Sequence, residues 1–587
     1  MVMVREYRHL KMLKRSGRGH DPAGVTSMQP GQCAVRCPAC PQPGMNLPEG
    51  WETATPATKF LYTLFIAINA NFRLKRKHIS SNEEDPSLSN GWSYFVLETQ
   101  FKDFLHKYDK VIPQPKSTCS NHNAVNSDRS GKGLAATGVG AADCARHDCK
   151  QPLSVGDILK GERYVNMDFV FLRSLTETEL VSFVVSYDIA CQWSSNLWDR
   201  MKQYPRDLHV NSEGKMLFRF LVPKFHLPAH VMACQTPFLF NFNSYVGRTD
   251  GEAPECGWSH INPVAMSTQE MGPGHRRDTL DNHFGDWNWK KTCLMAPSLL
   301  RKIKEAVIES KEHHELHAEF ERGLDAKAIS IWQAELTAWE VDHVQPNPFE
   351  KRYKSKQRDL QEGLCLRSYL YIDKDCQQIG QIQNTHSRAI IARTQAKVDE
   401  AASTYCAARK AMMGLARTLE LVGWEKNFPS LLATDIKGLT DDDPLTFSRC
   451  NHNNIKCPSE GRRTLSWIWS KLGDLGEEAD LLQHDLRIQW CKSKARADRW
   501  REEVLLLLEE MNRVRRFFKH MAATWDSRLS TIFSLGRSEG GTVIPQEVVN
   551  AEQDDGDAEA TITHSAPNMA VATDSHTITT IPTTVPA

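Results

Sequence analysis

Two short apolar runs, each ending abruptly on a polar residue, constrain this chain more than any other feature. Residues 60–68 read FLYTLFIAI and stop at Asn69; residues 180–187 read LVSFVVSY and stop at Asp188. Runs of this length, rich in aromatic and β-branched residues, predict buried strands. A strand's carboxyl end would present Asn69 and Asp188 beside one another's sheet edge. Residues 71–77 (NFRLKRK) alternate apolar and basic side chains and predict a hairpin-like partner for the first run. A further apolar run, 164–175 (YVNMDFVFLRSL), predicts another core strand.

The connection between these runs, 113–160, is rich in Gly, Asn, Ser and Cys and is too long for a simple loop, which predicts an insertion. Residues 1–58 carry Gly, Pro and Cys without a sustained period and predict an irregular, metal-tied lead-in. Helical spacing of Ala, Glu, Lys and Leu over 299–343, 385–421 and 481–520 predicts a mostly helical second half. The expected organisation is therefore a lead-in at 1–58, a core at 59–300 with the insertion at 113–160, a helical region at 301–536, and a disordered acidic tail at 537–587.

Charge supports that division. Lys and Arg total 72, as do Asp and Glu, over 587 residues. Beyond Arg537 there is no base while eight acids remain, so the body holds 72 bases against 64 acids, a mildly basic +8. A mean hydropathy of −0.48 suits a globular chain, and no run of 18 or more apolar residues could cross a bilayer. The N-terminal residues are basic from Arg5 and lack the continuous apolar core of a secretory signal, so the 16 cysteines are expected as thiols or metal ligands.

Residues 247–291 concentrate Asp250, Glu252, Glu255, His260, Arg276, Arg277, Asp278, Asp281, His283 and Asp286 among Trp258, Trp287 and Trp289. A polar-capped helix with buried tryptophans would account for that density; so would an acid site. Two acids at strand ends with a third on a following helix suit a two-metal centre, because Mg²⁺ prefers several carboxylate oxygens. Asp188 fits the strand-end position, and it fits equally as a helix N-cap before Ile189.

Cys119-x2-His122, then 21 residues, then Cys144-x2-His147 has four-ligand zinc spacing, with Cys149 to spare. Cys33-x3-Cys37-x2-Cys40 offers three ligands, and Cys450, His452 and Cys457 are too loosely spaced to assign. Arg73, Lys75, Arg76 and Lys77 form one basic patch suited to DNA phosphates. Arg487, Lys492, Lys494, Arg496, Arg499 and Arg501, with Trp490 and Trp500 interleaved, form either a second patch or a solvated helix face.

The segments LYTLFIAINANFRLKRK, GWSYFV, GERYVNMDFVFLRSL, SYDIACQW, VPKFHLPAH, the whole 247–291 block, PNPFE, EGRRTLSWIW and RIQWCKSKARADRWREEV together resemble the fungal Kyakuja-Dileera-Zisupton (KDZ) transposases, over roughly residues 5–520. The resemblance implies an α+β chain with an RNase H-like core. It implies a DDE-type transposase acting on DNA terminal repeats in the nucleus, with three acids binding two Mg²⁺ or Mn²⁺ ions, and with DNA and further copies of the chain as partners. By that resemblance Asp188 is the second acid and Glu252 or Glu255 the third. The family motif D-A-N-F-R-L-K-R-K carries the first acid, and here its place is taken by Asn69. An amide oxygen lacks the charge that offsets a dication, so a catalytically degenerate copy, or an inactive DNA-binding protein derived from one, is expected. A zinc-scaffolded interaction protein is a third reading. Asp168 could be offered as a substitute acid, but its place inside an apolar run argues against that. Cys33, Cys37 and Cys40 resemble the remnant of the cysteine-cluster region that precedes the family's core, which implies that the sequence starts inside a longer protein.

Overall fold

The first long strand of the chain is β1 (Leu64–Asn71), whose first five residues are all buried. In the computed structural model it is the middle strand of a five-stranded sheet. The structure describes residues 2–18, 27–112, 119, 133–176, 178–210, 216–350 and 479–538, with isolated positions between 403 and 432. Residues to Trp525 form one compact unit and Asp526–Ala587 a second, of which only the helical part up to Ser538 is described.

The remaining strands are β2 (Arg76–Lys77), β3 (Leu134–Ala136), β4 (Gly138–Cys144), β5 (Lys150–Ile158), β6 (Ser182–Tyr187) and β7 (Leu217–Leu221). The large sheet runs β5-β4-β1-β6-β7. β4 lies antiparallel to β1 and β5 antiparallel to β4, whereas β6 and β7 run parallel to β1. The helices used below are α1 (Val2–Arg15), α2 (Glu98–Tyr108), α3 (Tyr164–Arg173), α4 (Ala253–Ile261), α5 (Pro273–Cys293), α6 (Met295–Arg322), α7 (Ala326–Val341) and α8 (Ala479–Ser538). The chain is thus α+β, with a mixed sheet followed by a helical C-terminal region, and among the described residues no helix is long and apolar enough to cross a membrane.

Side chains alternate across a strand, so each face of β1 has its own set of neighbours. Leu64, Ile66 and Ile68 join Phe183, Val185 and Tyr187 of β6 in a cluster with Phe101 and Phe104 of α2 and Phe169 of α3. Phe65 and Ala67 join Val184 on the opposite face, against Ala253 of α4, Val246 and Leu506 of α8. Helices therefore cover both faces.

Several sequence expectations are corrected. The run at 164–175 is the helix α3, not a strand. Nine of its residues are buried, and a segment apolar on every side gives no period by which a strand and a helix can be told apart. Residues 71–77 do not form a hairpin with β1, since β2 pairs with β3 in a separate two-stranded sheet. Of the segment 113–160, the described residues from Gly138 on are not an insertion, because β4 and β5 are integral to the main sheet; the small residues GVGAADC in β4 hide a strand that is buried throughout. The lead-in begins with a regular helix, α1, docked on α5 through Arg5–Asp278 (2.7 Å) and Arg15–Asp286 (2.6 Å). The expected helices at 299–343 correspond to α6 and α7, and that at 481–520 falls within α8; the segment 385–421 lies almost wholly, and the tail after 538 wholly, outside the described residues.

α8 is where distant parts of the chain meet. Arg146, in the turn after β4, is 9 % exposed and donates to Glu503 Oε2 (2.9 Å), Glu503 Oε1 (3.1 Å), Glu510 Oε2 (3.2 Å) and Thr249 Oγ1 (3.1 Å). Arg513 donates to the Ala39 carbonyl at 2.7 Å and Arg516 to that of Asn46 at 2.5 Å. Burying one cation between two carboxylates is favourable only while all three are present, because a lone buried charge loses its hydration without compensation. Arg146→Met is expected to lower stability by about 3–5 kcal/mol in urea unfolding, whereas Lys311→Gln, in an exposed pair with Glu315 on α6, is expected to change it by less than about 0.5 kcal/mol.

Candidate active site

The pairing of β1 with β6 places the first two site residues. Their parallel register runs from Leu64 opposite Phe183 to Ile68 opposite Tyr187. One step further along each strand stand Asn69 and Asp188. By alternation Asn69 shares the face of Phe65 and Ala67, and Asp188 that of Val184 and Ser186. This is the face on which α4 lies, with Glu252 directly before its first residue and Glu255 in its first turn.

The contacts follow from that placement. Asn69 Nδ2 donates to Glu255 Oε1 at 2.9 Å. The His226 ring lies between two carboxylates, with Nδ1 3.6 Å from Asp188 Oδ2 and Nε2 4.0 Å from Glu255 Oε1. Glu252 Oε1 accepts the Phe225 N–H at 2.7 Å. The structure therefore brings Asn69, Asp188, Glu252 and Glu255 to one edge of the sheet. His226, which sequence reasoning did not single out as a site residue, joins them; its only signal was its place in VPKFHLPAH.

Two glycines make the approach possible. Gly251, at φ +83°, sits so close to β6 that a Cβ there would lie 2.2 Å from Ser186 Oγ. Gly247, at φ +58°, would bring a Cβ within 2.6 Å of Glu503 Oε2. Between them α8 holds the loop by its main chain: Glu502 accepts the N–H groups of Tyr245 (2.7 Å) and Gly247 (3.1 Å), Glu503 accepts that of Arg248 (2.8 Å), and Arg499 donates to the Asn243 carbonyl (2.5 Å). The segment that delivers Asp250, Gly251 and Glu252 is thus aimed by buried carboxylates of a helix some 250 residues away in sequence.

Electrostatically, the cluster carries unbalanced negative charge. Burial, reinforced by Glu255 and Glu252, pushes the Asp188 carboxyl up to about 8. Burial also raises Glu252, against the opposing Phe225 N–H. Asp188 Oδ1 is buried and meets no hydrogen-bond donor among the described residues. An orphaned carboxylate oxygen among further carboxylates is the donor set that a hard dication requires, so the residues present fit Mg²⁺ or Mn²⁺. Arg73 and Glu255, with Trp258, Ser259, Asn262 and Pro263, line an adjoining cleft of about 590 Å³.

Other expected site residues have different duties. Asp168 is completely buried and bound by Trp193 Nε1 (2.7 Å), Arg200 Nε (2.6 Å) and the Tyr204 hydroxyl (2.7 Å), so it anchors α3 and cannot replace an acid at Asn69. Within the basic patch, Arg73 and Lys75 are exposed, Lys77 pairs with Glu270 at 2.5 Å, and Arg76 is only 6 % exposed, 3.5 Å from Asp157. The patch thus offers phosphates fewer bases than its sequence suggests. Arg487, Arg496, Arg499, Trp490 and Trp500 of α8 are buried, whereas Lys492 and Lys494 are half-buried and Arg501 is exposed, so most of that second basic run serves packing. In the 247–291 block, Asp278, Asp281, Arg276 and Arg277 hold neighbouring segments: Asp281 accepts the Tyr94 N–H at 3.2 Å, and Arg276 pairs with Asp157 at 2.5 Å.

The cysteines are regrouped. Cys119, His122, Cys144 and His147 do not form one set. Cys144 and His147 gather with Cys37 and Cys40, while Cys119 gathers with Cys191, His230 and Cys234; in each group the four ligand atoms lie within 4.8 Å of one another. His122 lies outside the described residues. Spacing finds only ligands close in sequence, whereas the sheet imports Cys37, Cys40, Cys191, His230 and Cys234 from elsewhere. Both groups could bind zinc, each with three thiols and one imidazole. Cys33 instead packs with Met12, Leu13 and Met28.

A carboxyl with a raised folded-state pKa holds its proton more tightly folded than unfolded, so its contribution to stability falls as pH rises from about 4 toward 8. Without divalent metal, Asp188→Asn is expected to raise stability at pH 8.5 by about 2 kcal/mol and to leave it nearly unchanged at pH 4, as read by thermal or urea unfolding. A difference independent of pH would show that Asp188 is not the strained acid.

No curated protein and no solved structure matches the chain at significant similarity. A family model does: residues 62–288, which run from just before β1 into α5 and include Asn69, Asp188, Glu252 and Glu255, match the one described as the Kyakuja-Dileera-Zisupton transposase.

Proposed function

We propose that this chain is a DDE-type transposase with an RNase H-like core, in which Asn69 has replaced the first metal-binding acid. The observation that carries the reading is the parallel register of β1 and β6, which sets Asn69 and Asp188 side by side with Asn69 bonded to Glu255. The sheet order, with an antiparallel three-strand half joined to two parallel strands, supports the RNase H-like part. The match over residues 62–288 supports the transposase part.

In this reading Asp188 and Glu255 are the principal metal ligands. Glu255 is preferred over Glu252 because Glu255 touches Asn69, whereas Glu252 is engaged by a backbone N–H. When bound, two Mg²⁺ or Mn²⁺ ions would activate the attacking oxygen and stabilise the leaving oxygen at a DNA phosphorus. The chain's own residues shape that site: Asp188 and Glu255 supply charge, His226 spaces them, and Arg73 and Lys75 draw the phosphate backbone toward the cleft. Asn69 supplies an amide in place of a carboxylate, and its N–H occupies a lone pair that a metal would use. The reading therefore extends to binding DNA terminal repeats in the nucleus without appreciable cleavage. The Asn69–Glu255 bond also favours the second reading, a non-catalytic DNA-binding protein derived from a transposase.

Asn69→Asp tests the proposal. Losing several kcal/mol of transition-state stabilisation costs a factor of ten for each ~1.4 kcal/mol, so restoring the acid is expected to raise Mn²⁺-dependent nicking of a cognate terminal repeat by at least ~100-fold. Asp188→Ala should abolish that gain. Equal activity of the unaltered chain and the Asn69→Asp variant, with metal in excess, would overturn the assignment. For DNA contact, Arg73→Glu with Lys75→Glu is expected to reduce the slope of log affinity against log salt by about two, whereas Arg76→Ala is expected to act on folding through Asp157.

A further inference from the structure

The group Cys119, Cys191, His230 and Cys234 lies directly behind the acid site. Its geometry matches a tetrahedral ion. Sulfurs bonded to one Zn²⁺ at ~2.3 Å stand ~3.8 Å apart, and a sulfur and a nitrogen ~3.6 Å apart. The Cys119 Sγ atom is 3.9 Å from Cys191 Sγ and 3.8 Å from Cys234 Sγ, and Cys191 Sγ is 3.3 Å from His230 Nδ1. All three cysteines are reduced thiols, Cys119 is 1 % exposed and His230 is 4 % exposed. Three thiols converging on one imidazole in this volume have no packing reason to meet; an ion at their centre supplies one.

The other ring nitrogen connects the group to the acid site. His230 Nε2 lies 2.8 Å from the carbonyl oxygen of Asp188. A metal on Nδ1 fixes the tautomer with the proton on Nε2, and that N–H donates to the Asp188 carbonyl, the usual outer-shell arrangement of a metal-bound histidine. Cys191 stands three residues after Asp188, in the short helix Ala190–Trp193. Asp188, the residue directly after β6, is therefore held from two sides by members of this group: through its own carbonyl, and through the turn that follows it.

We infer that Cys119, Cys191, His230 and Cys234 bind a structural Zn²⁺ ion whose histidine ligand positions Asp188. His230 is a positioning residue. The zinc assignment stands on the ligand geometry alone, while its effect at Asp188 rests on the metal-site reading of Asp188 and Glu255 proposed above.

The test begins with the zinc content of the purified full chain, with each cysteine group contributing one ion, and with its Co²⁺-substituted absorption, in which thiolate-bound tetrahedral Co²⁺ gives intense bands. Cys191→Ser combined with Cys234→Ser is expected to lose one zinc per chain and to retain the ion held by Cys37, Cys40, Cys144 and His147. Cys234→His, which still offers a ligand, is expected to keep the full zinc content. Mn²⁺ binding followed by electron paramagnetic resonance in the Asn69→Asp background then reads the positioning role. His230→Gln and the double serine variant should bind Mn²⁺ at least about tenfold more weakly, with Cys234→His close to the parent and Asp188→Asn as the reference for a lost site. Unchanged zinc content in the double serine variant, or an unsubstituted chain without tetrahedral Co²⁺ bands beyond those of one group, overturns the zinc site. Loss of one zinc with unaltered Mn²⁺ affinity overturns the positioning role. No Mn²⁺ binding in the Asn69→Asp parent refutes the acid-site reading, and with it the positioning role, while the zinc count still decides the zinc site.

Discussion

Everything at the acid site depends on the register between β1 and β6. Side chains alternate strictly along a strand, so a slip of one residue would send Asn69 or Asp188 to the opposite face, into the cluster around Phe169. The register is fixed by large apolar side chains on both faces, Ile66 and Val185 on one and Phe65 and Val184 on the other. Hydrophobic burial, itself indifferent to direction, thereby determines where charged and amide groups stand to within one residue. The polar residues at the strand ends contribute little to that choice and inherit its result.

A second layer of control is electrostatic. Burial raises the Asp188 carboxyl and the neighbouring Glu255 and Glu252 raise it further, yet the loop that carries Glu252 is held by further buried carboxylates on α8. Those differ in having partners. Glu503 is held below its usual range chiefly by Arg146, against the cost of burial, and Glu502 accepts two main-chain N–H groups and the Arg499 guanidinium (2.7 Å). The molecule thus contains buried acids with partners, which build the frame, and beside them Asp188, whose Oδ1 meets no donor among the described residues.

The sequence made the two core strands legible, because a short apolar run rich in β-branched residues is too brief for a core helix, although β1 runs on past Asn69 to a buried Asn71. It also made the cysteine and acid types legible. It could not choose between Glu252 and Glu255, which sit three residues apart at one helix start and differ only in which neighbour each meets. Zinc spacing combined the wrong segments, because the rule sees local pairs, and only the fold brings Cys37 and Cys40 to Cys144 and His147, or Cys119 and Cys191 to His230 and Cys234. The basic run of α8 stayed open between two readings for a related reason: guanidinium groups read as surface charge, yet Arg487 and Arg499 are buried on main-chain carbonyls and on glutamates. His226 carried no pattern of its own, since a lone histidine between apolar residues is common in any core.

The grip of α8 on the early chain has a consequence for how the protein comes into being. Ala39 and Arg146 find partners at Arg513, Glu503 and Glu510, and the loop before Glu252 finds them at Glu502 and Glu503. At translation rates of ~5–20 residues per second, the 250 or so residues between that loop and α8 take about 10–50 s to emerge. During that interval the sheet can form, but the loop lacks its partners and the face around Phe65 and Val184 lacks Leu506. Such contacts, distant in sequence, make for slow closure and a nascent chain with exposed apolar surface. A ribosome stalled before α8 would leave a chain with β1 and β6 paired and nothing to aim the loop that carries Glu252.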